Sequence, residues 1–388
     1  MIGKNWRNII MAILIAGLLS SCGGGSTPDP TATPVGTPVG QGQTGTATPD
    51  AATATDTPGS SGSTNTPQAL PTIDKAHPVK VTIALGFNPD VQFAPFYVAL
   101  NKGYYADEGL DVTFKHGIVP DLIKLLGVGD QGVNFAVASG DEIIPARLQD
   151  IPVIYSMTWY RQYPVAAVSI VGKGPTLKSP ADLKGKVVGV PGPFGSTYTG
   201  LLALLKAGGL TLQDITLKTI GFTQIENLTT GQVDVAMVYA ANEPVQLHGL
   251  GMDVSTLLVS DYMKLASNGL ITNQQTFRDN PQLVARVVRA TQKGIQETIK
   301  DPSGAFESVL KQVPEAGGAN KDRQMKVLEE TIKLMQAKSG DPAADMPVGY
   351  SDVEVWNSTQ DFLFDAKIIS KKSLVTEMFS NRFIGSSK

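Results

Sequence analysis

The chain has 388 residues, 42% of them hydrophobic, and carries 35 acidic against 32 basic side chains for a formal charge of −3. Neither that balance nor the three histidines suit a nucleic-acid binder, which needs a basic face. Beyond residue 21 no stretch reaches the about 18 apolar residues of a spanning helix, and a single cysteine excludes an internal disulfide.

Lys4 and Arg7 precede an apolar run from Ile9 to Leu19, which leads into Ser20, Ser21 and Cys22. A basic flank, a short apolar region and small residues before a cut are the parts of an export signal, expected over residues 1–21. Removing a leader that carries Lys4 and Arg7 and no acid takes the formal charge from −3 to −5. Leu19-Ser20-Ser21-Cys22 resembles the bacterial lipobox, whose cysteine is diacylated and becomes the new N-terminus. The resemblance implies a lipid anchor at Cys22 on the extracytoplasmic face of the cell membrane. From Cys22 to residue 76 the chain is Gly, Ser, Thr, Pro and Ala with almost no bulky apolar side chain. It cannot bury enough surface to offset its ordering entropy, so a disordered tether is expected. A coil of about 50 residues reaches roughly 40 Å on average.

The globular part begins near Val79–Leu85, which alternates as a strand and runs into the loop Gly86-Phe87-Asn88-Pro89-Asp90. A helix from Phe93, a strand at Leu110–Phe114 and a short amphipathic helix at Asp121–Leu126 follow. Val133–Ala138 reads as a strand ending at Ser139-Gly140-Asp141, which caps a helix over Glu142–Leu148. Val153–Tyr160 reads as a fourth strand.

A second set of strands and helices centres on Val187 to Leu210. Val187, Val188 and Val190 make a short buried strand, broken by Pro191-Gly192-Pro193-Phe194-Gly195, a loop that neither helix nor sheet continues. Ser196 or Thr197 stands at the N-cap of an apolar helix that Gly208-Gly209 closes. That order leaves free N–H groups and hydroxyls at a positive helix end, a place to hold an acceptor on a ligand. Asp214–Ile220 is the next strand, Gln224–Thr229 a helix, and Val233–Tyr239 a strand ending in Ala240-Ala241-Asn242-Glu243-Pro244. From Thr276 onward the pattern is helical, with Leu283, Val284, Val287, Val288, Thr291 and Ile295 at helical spacing, and further helices over 303–312, 321–336, 353–366 and 372–379. Strands alternating with helices imply mainly parallel sheets with ligand loops at the strand C-termini.

The run FNPDVQFAPFYVALNKGYYADEGLDV resembles the opening of type II periplasmic-type substrate-binding proteins of ABC importers, in the branch for thiamine-pyrimidine precursors and alkylsulfonates. SPADLKGKVVGVPGPFGSTYTGLLALLKAGGL and LTTGQVDVAMVYAANEP resemble the same branch, so the likeness covers about 300 residues in the expected order. It implies a two-lobe Venus-flytrap α/β fold with a helical C-terminal part, joined by two crossover strands, with ligand between the lobes and a permease plus ATPase as partners. The expected division is residues 77–173 and 263–388 in one lobe and 174–262 in the other.

On this reading the ligand is gripped by residues at or just beyond strand ends: Phe87, Trp159, Tyr160, Phe194, Tyr198 and Tyr239 as aromatic faces, with Asn88, Asp90, Ser139, Gly195, Ser196, Thr197, Asn242 and Glu243 as polar groups. Arg161, the one cation beside the aromatic pair, either pairs a ligand acceptor or reaches solvent. Aromatics and neutral hydrogen-bonding groups with one cation suit a flat, uncharged heterocycle. Riboflavin, which a lipoprotein of this branch binds, is the expected ligand, and a formylated or hydroxymethylated aminopyrimidine the alternative. His77, His116 and His248 share no metal-ligand spacing. Fungal chains resembling this fold make the thiamine pyrimidine from their own histidine with iron. Without a histidine and cysteine cluster, neither a metal, a cofactor nor an enzyme is expected here.

Overall fold

The computed structural model describes residues 73–129 and 132–385. The expected leader, Cys22 and the tether up to residue 72 lie outside the described residues. Ten strands among them form two five-stranded sheets. They are β1 (Val79–Gly86), β2 (Leu110–Gly117), β3 (Phe135–Ser139), β4 (Val153–Thr158), β5 (Val165–Ile170), β6 (Val187–Val190), β7 (Thr216–Thr219), β8 (Val235–Tyr239), β9 (Val254–Leu258) and β10 (Asn268–Asn273). The first sheet has the order β2-β1-β3-β10-β4 and the second β7-β6-β8-β5-β9.

Twelve helices cover these sheets: α1 (Ala94–Asn101), α2 (Tyr104–Asp107), α3 (Val119–Val128), α4 (Gly140–Leu148), α5 (Gly195–Ala207), α6 (Gln224–Thr229), α7 (Glu243–Gly249), α8 (Gln274–Asp279), α9 (Pro281–Lys300), α10 (Pro302–Leu310), α11 (Lys321–Met335) and α12 (Val353–Asp365). The longest, α9, buries Leu283, Val284, Val287, Val288 and Ile295, each worth about 1.5–3 kcal/mol when fully taken from water. Gly294 lets it lie directly on α1, since a Cβ there would collide with the Pro95 carbonyl.

Both sheets are mixed rather than mainly parallel. In each, a parallel trio is extended by one strand running against its neighbours: β10 lies antiparallel between β3 and β4, and β5 antiparallel between β8 and β9. The sequence pattern misses this because β5 and β10 are buried at every position and carry no alternation that tells a sheet or a direction. The second sheet therefore starts with Val165, ahead of the expected boundary at 174. The chain passes from first sheet to second between Thr158 and Val165, and returns between Leu258 and Asn268.

The expected helix over 372–379 is only a 3₁₀ turn at Val375–Glu377. Backbone groups beyond it pair with the open edge of β4 instead: the Tyr155 N–H donates to Met378 O and the Ser380 N–H to Tyr155 O, both at 2.9 Å. The Phe379 ring then stacks on Trp356 at 4.9 Å.

Candidate functional site

Loops following the strand ends of both sheets line a cavity that is open to solvent and walled largely by apolar side chains, as small-molecule sites are. On the first-sheet side β1 is followed by Phe87, whose φ of +69° is a left-handed conformation rare for an aromatic residue. Two contacts hold it there. The Phe87 N–H donates to Gly117 O at 2.8 Å, and His116 Nδ1 lies 3.3 Å from Phe87 O. Asp90 then caps the 3₁₀ turn Val91–Phe93, its Oδ1 accepting from the Gln92 N–H at 2.9 Å and from Gln92 Nε2 at 3.1 Å. That second bond assigns the amide and leaves Gln92 Oε1 buried with no protein partner.

The crossing from first sheet to second opens with Trp159 and Tyr160, whose N–H groups both donate to Asn268 O, at 2.8 and 3.0 Å. Asn268 begins β10, so both crossings meet at this point. The rings form a packed wall: Phe93 stacks on Trp159 at 5.7 Å, Trp159 and Tyr160 lie tilted against each other at 4.1 Å, and Phe96 meets Trp159 edge-on at 5.2 Å. Trp159 Nε1, Tyr160 OH and Asn268 Oδ1 are all buried without a protein partner, although each belongs to a residue lining the cavity.

On the second-sheet side α5 begins two or three residues earlier than the sequence suggests, because Gly195 at φ +71° takes the turn and Phe194 occupies the N-cap position. Ser196 is thereby released from capping. Its Oγ lies 2.8 Å from Ser139 Oγ and donates to Asp141 Oδ1 at 3.3 Å, while Tyr163 OH donates to Ser196 O at 2.9 Å. These bonds tie α5 to the start of α4 beneath the cavity. Farther along, the Tyr239 N–H donates to Glu243 Oε2 at 3.1 Å, and Asn268 Nδ2 donates to Tyr239 OH at 3.3 Å.

Four carboxyl groups gather here. Burial and the neighbouring Asp141 charge push Glu142 up to about 8. Burial, offset in part by backbone N–H donors, leaves Glu243 at about 7. Asp90 and Asp141 are likewise raised by burial, Asp141 against the hydroxyls of Ser139, Thr199, Tyr163 and Ser196. Glu142 and Glu243 keep a partly accessible surface toward the cavity; the protein around each carboxyl still denies it bulk solvation.

Of the residues expected at the site, Phe87, Trp159, Tyr160, Phe194, Gly195, Ser196, Thr197, Tyr239, Asn242 and Glu243 line this cavity. Asn88 is exposed outside it, and Asp90 stands behind it as a cap. Ser139 is fully buried and acts as a tie to Ser196 rather than as lining. Tyr198 lies off the cavity, one helical step of 100° beyond Thr197. Arg161 meets neither expectation: its guanidinium donates to the carbonyls of Ala343 at 2.7 Å, Met346 at 2.9 Å and Ala344 at 3.2 Å, pinning a surface loop. Sequence reasoning missed Gln92, Phe93, Glu142, Phe222, Gln224 and Asn268, which also line the cavity. Only Glu142 had a readable signal, three residues after a serine that ends a strand; the Ser139 N–H donates to its Oε2 at 3.2 Å.

Comparison with known proteins finds likenesses that run along most of the chain. Residues 90–305 match the model described as NMT1/THI5 like. The riboflavin-binding protein RibY of Chloroflexus aurantiacus is 36% identical over 379 residues, covering 97% of each chain. A formylaminopyrimidine-binding protein of Halalkalibacterium halodurans is 27% identical over 78% of this chain and 89% of its own. The 4-amino-5-hydroxymethyl-2-methylpyrimidine phosphate synthase THI13 of Saccharomyces cerevisiae is 24% identical over 60% of this chain and 70% of its own. Among solved structures, the alkanesulfonate-binding protein SsuA of Xanthomonas axonopodis pv. citri, bound to MOPS, superimposes with a TM-score of 0.60 at 18% identity, over 78% of this chain and 99% of that one. At that identity the likeness concerns the fold alone, the two-lobe periplasmic-binding-protein architecture expected from the sequence.

Proposed function

This chain belongs to the NMT1/THI5-like family, and from that premise we propose that it is the solute-binding component of an ABC importer, with riboflavin as its ligand. The observation that carries the reading is the wall at the crossing of the two sheets. Trp159, Tyr160, Phe93 and Phe87 offer apolar ring surface to the cavity, and Trp159 Nε1, Tyr160 OH, Gln92 Oε1 and Asn268 Oδ1 lie buried beside them without protein partners. A buried polar atom left unpaired costs about 1–3 kcal/mol. A flat heterocycle with donors and acceptors on its edge removes that cost and stacks in the same movement. The fused rings of riboflavin supply both, and its ribityl hydroxyls suit Ser196 and Thr197 at the start of α5. The 36% identity to RibY over nearly the whole chain supports the choice.

In this reading Cys22 carries a lipid on the extracytoplasmic face of the membrane and residues 22–76 tether the lobes within reach of a permease and its ATPase. An aminopyrimidine is the second reading, favoured by the formylaminopyrimidine-binding relative. Flavin fluorescence decides between them. Stacking on Trp159 or a tyrosine quenches it, with a submicromolar midpoint expected for a scavenging receptor. Absence of quenching at micromolar protein, with calorimetric heat from the formylaminopyrimidine, reverses the choice.

A further inference from the structure

The charge lining the cavity is one-sided. Glu142 enters from α4 on the first-sheet side and Glu243 from the start of α7 on the second-sheet side. Asp141 stands beside Glu142, and Asp90 adds its charge to the surroundings of Glu243. Among the described residues, no Lys, Arg or His lines the cavity. A part of the wall suited to attract an anion is the N-terminus of α5, a 13-residue helix opening at Gly195. It is already faced by a protein carboxyl: a Cβ built on Gly195 would lie 3.4 Å from Glu142 Oε1. The unpartnered Trp159 Nε1, Tyr160 OH, Gln92 Oε1 and Asn268 Oδ1 in the same wall mark the space as a ligand site independently of the acids.

We propose that Glu142 and Glu243 set the specificity of this cavity, admitting the unphosphorylated form of its ligand and rejecting the phosphate ester. The inference rests on the reading of the cavity as a heterocycle site and adds which form of the heterocycle enters. A phosphoryl group brought to the α5 N-terminus meets Glu142 there and Glu243 across the cavity, and once these carboxyls are ionised they repel it in surroundings that screen like charges poorly. Hydroxyl groups placed in the same region can instead donate to these carboxylates. Where the available source is a phosphate ester, a phosphomonoester hydrolysis must therefore come before capture.

The test is a pair of titrations at pH 9, where both carboxyls are ionised, with riboflavin and riboflavin 5′-phosphate, read by flavin fluorescence and calorimetry on the wild type, Glu142→Gln, Glu243→Gln and the double variant. The wild type is expected to bind the ester roughly 100-fold or more weakly than the parent, and the double variant to bring that ratio to about 10-fold or less. Equal affinity of the wild type for both flavins overturns the inference while leaving the heterocycle reading in place. A ratio that the double variant leaves unchanged overturns the assignment to Glu142 and Glu243 and makes the exclusion steric. Should neither flavin bind, the same comparison is run with 4-amino-5-hydroxymethyl-2-methylpyrimidine and its phosphate. Failure of both parents to bind removes the reading and the inference together.

Discussion

Phe87 and Phe222 meet edge to face at the wall of the cavity, ring centroids 5.3 Å apart and planes at 73°. Phe87 follows β1 in the first sheet and Phe222 follows β7 in the second, so the pair joins two parts of the molecule that the chain connects only through the crossings. Phe222 is 51% exposed and Phe87 holds a positive φ. A non-glycine residue in that region costs of order 1–3 kcal/mol and persists where its surroundings determine it.

Removing this pair should loosen the grip on ligand. An edge-to-face contact contributes about 0.5–1.5 kcal/mol beyond area burial, so Phe222→Ala is expected to speed ligand dissociation by about 2- to 12-fold. Stopped-flow displacement measures this directly. A dissociation rate equal to wild type would show that the contact is incidental to binding.

Trp159 gives two effects of opposite sign. Trp159→Phe keeps an aromatic ring on the wall and removes the buried, unpartnered Nε1–H. The unliganded protein should gain up to about 1 kcal/mol of stability, less what the smaller ring loses in packing, while ligand affinity falls about 5- to 10-fold. Urea unfolding without ligand and a binding titration read the two halves separately. Lower stability together with unchanged affinity would mean that the indole serves packing alone.

The buried acids make stability depend on pH in a stated direction. The folded protein holds Glu142 at about 8 and Glu243 at about 7, against 4.5 for an unperturbed glutamate. Between those limits the folded state binds more protons than the unfolded chain, so stability is greatest near the lower end and falls as pH rises. The total loss expected from pH 5 to pH 8.5 is on the order of 2–4 kcal/mol, allowing for partial access of water to the cavity. Urea unfolding of the unliganded protein across that range gives the slope, and the Glu142→Gln, Glu243→Gln double variant should flatten it. A wild-type stability that rises or stays level with pH contradicts the burial of these groups.

Anchoring is tested apart from binding. Cys22→Ala is expected to move the protein from the membrane fraction to the soluble fraction with ligand affinity unchanged, because 56 residues of chain separate that position from the first strand. A variant that stays on membranes after a high-salt wash removes the lipid assignment.

Much of the site could be read before any coordinates, for a local reason. Phe87, Trp159, the run Phe194 to Thr197 and the run Tyr239 to Glu243 each sit where a hydrophobic strand gives way to a loop, and in an open α/β fold such loops gather on one cleft. Strand propensity, turn residues and helix periodicity act over a few residues, so Gln224–Thr229 was legible to the residue as a helix.

Other relations depend on chain segments far apart in sequence. Ser196 carries the mark of an N-cap, yet its hydroxyl goes to Ser139 and Asp141, 57 and 55 residues away, and nothing in the local pattern distinguishes the two uses. Asn268 enters the cavity because β10 inserts antiparallel between β3 and β4, a pairing that its uniformly buried side chains do not announce. The carboxyl shifts of Glu142 and Glu243 likewise come from desolvation, which is a sum over every neighbour within reach. The sequence by itself determined where hydrophobic strands give way to loops. The tertiary structure alone decided which of them share one volume, because hydrogen bonds, ring contacts and loss of water are set by distance in space and not by distance along the chain.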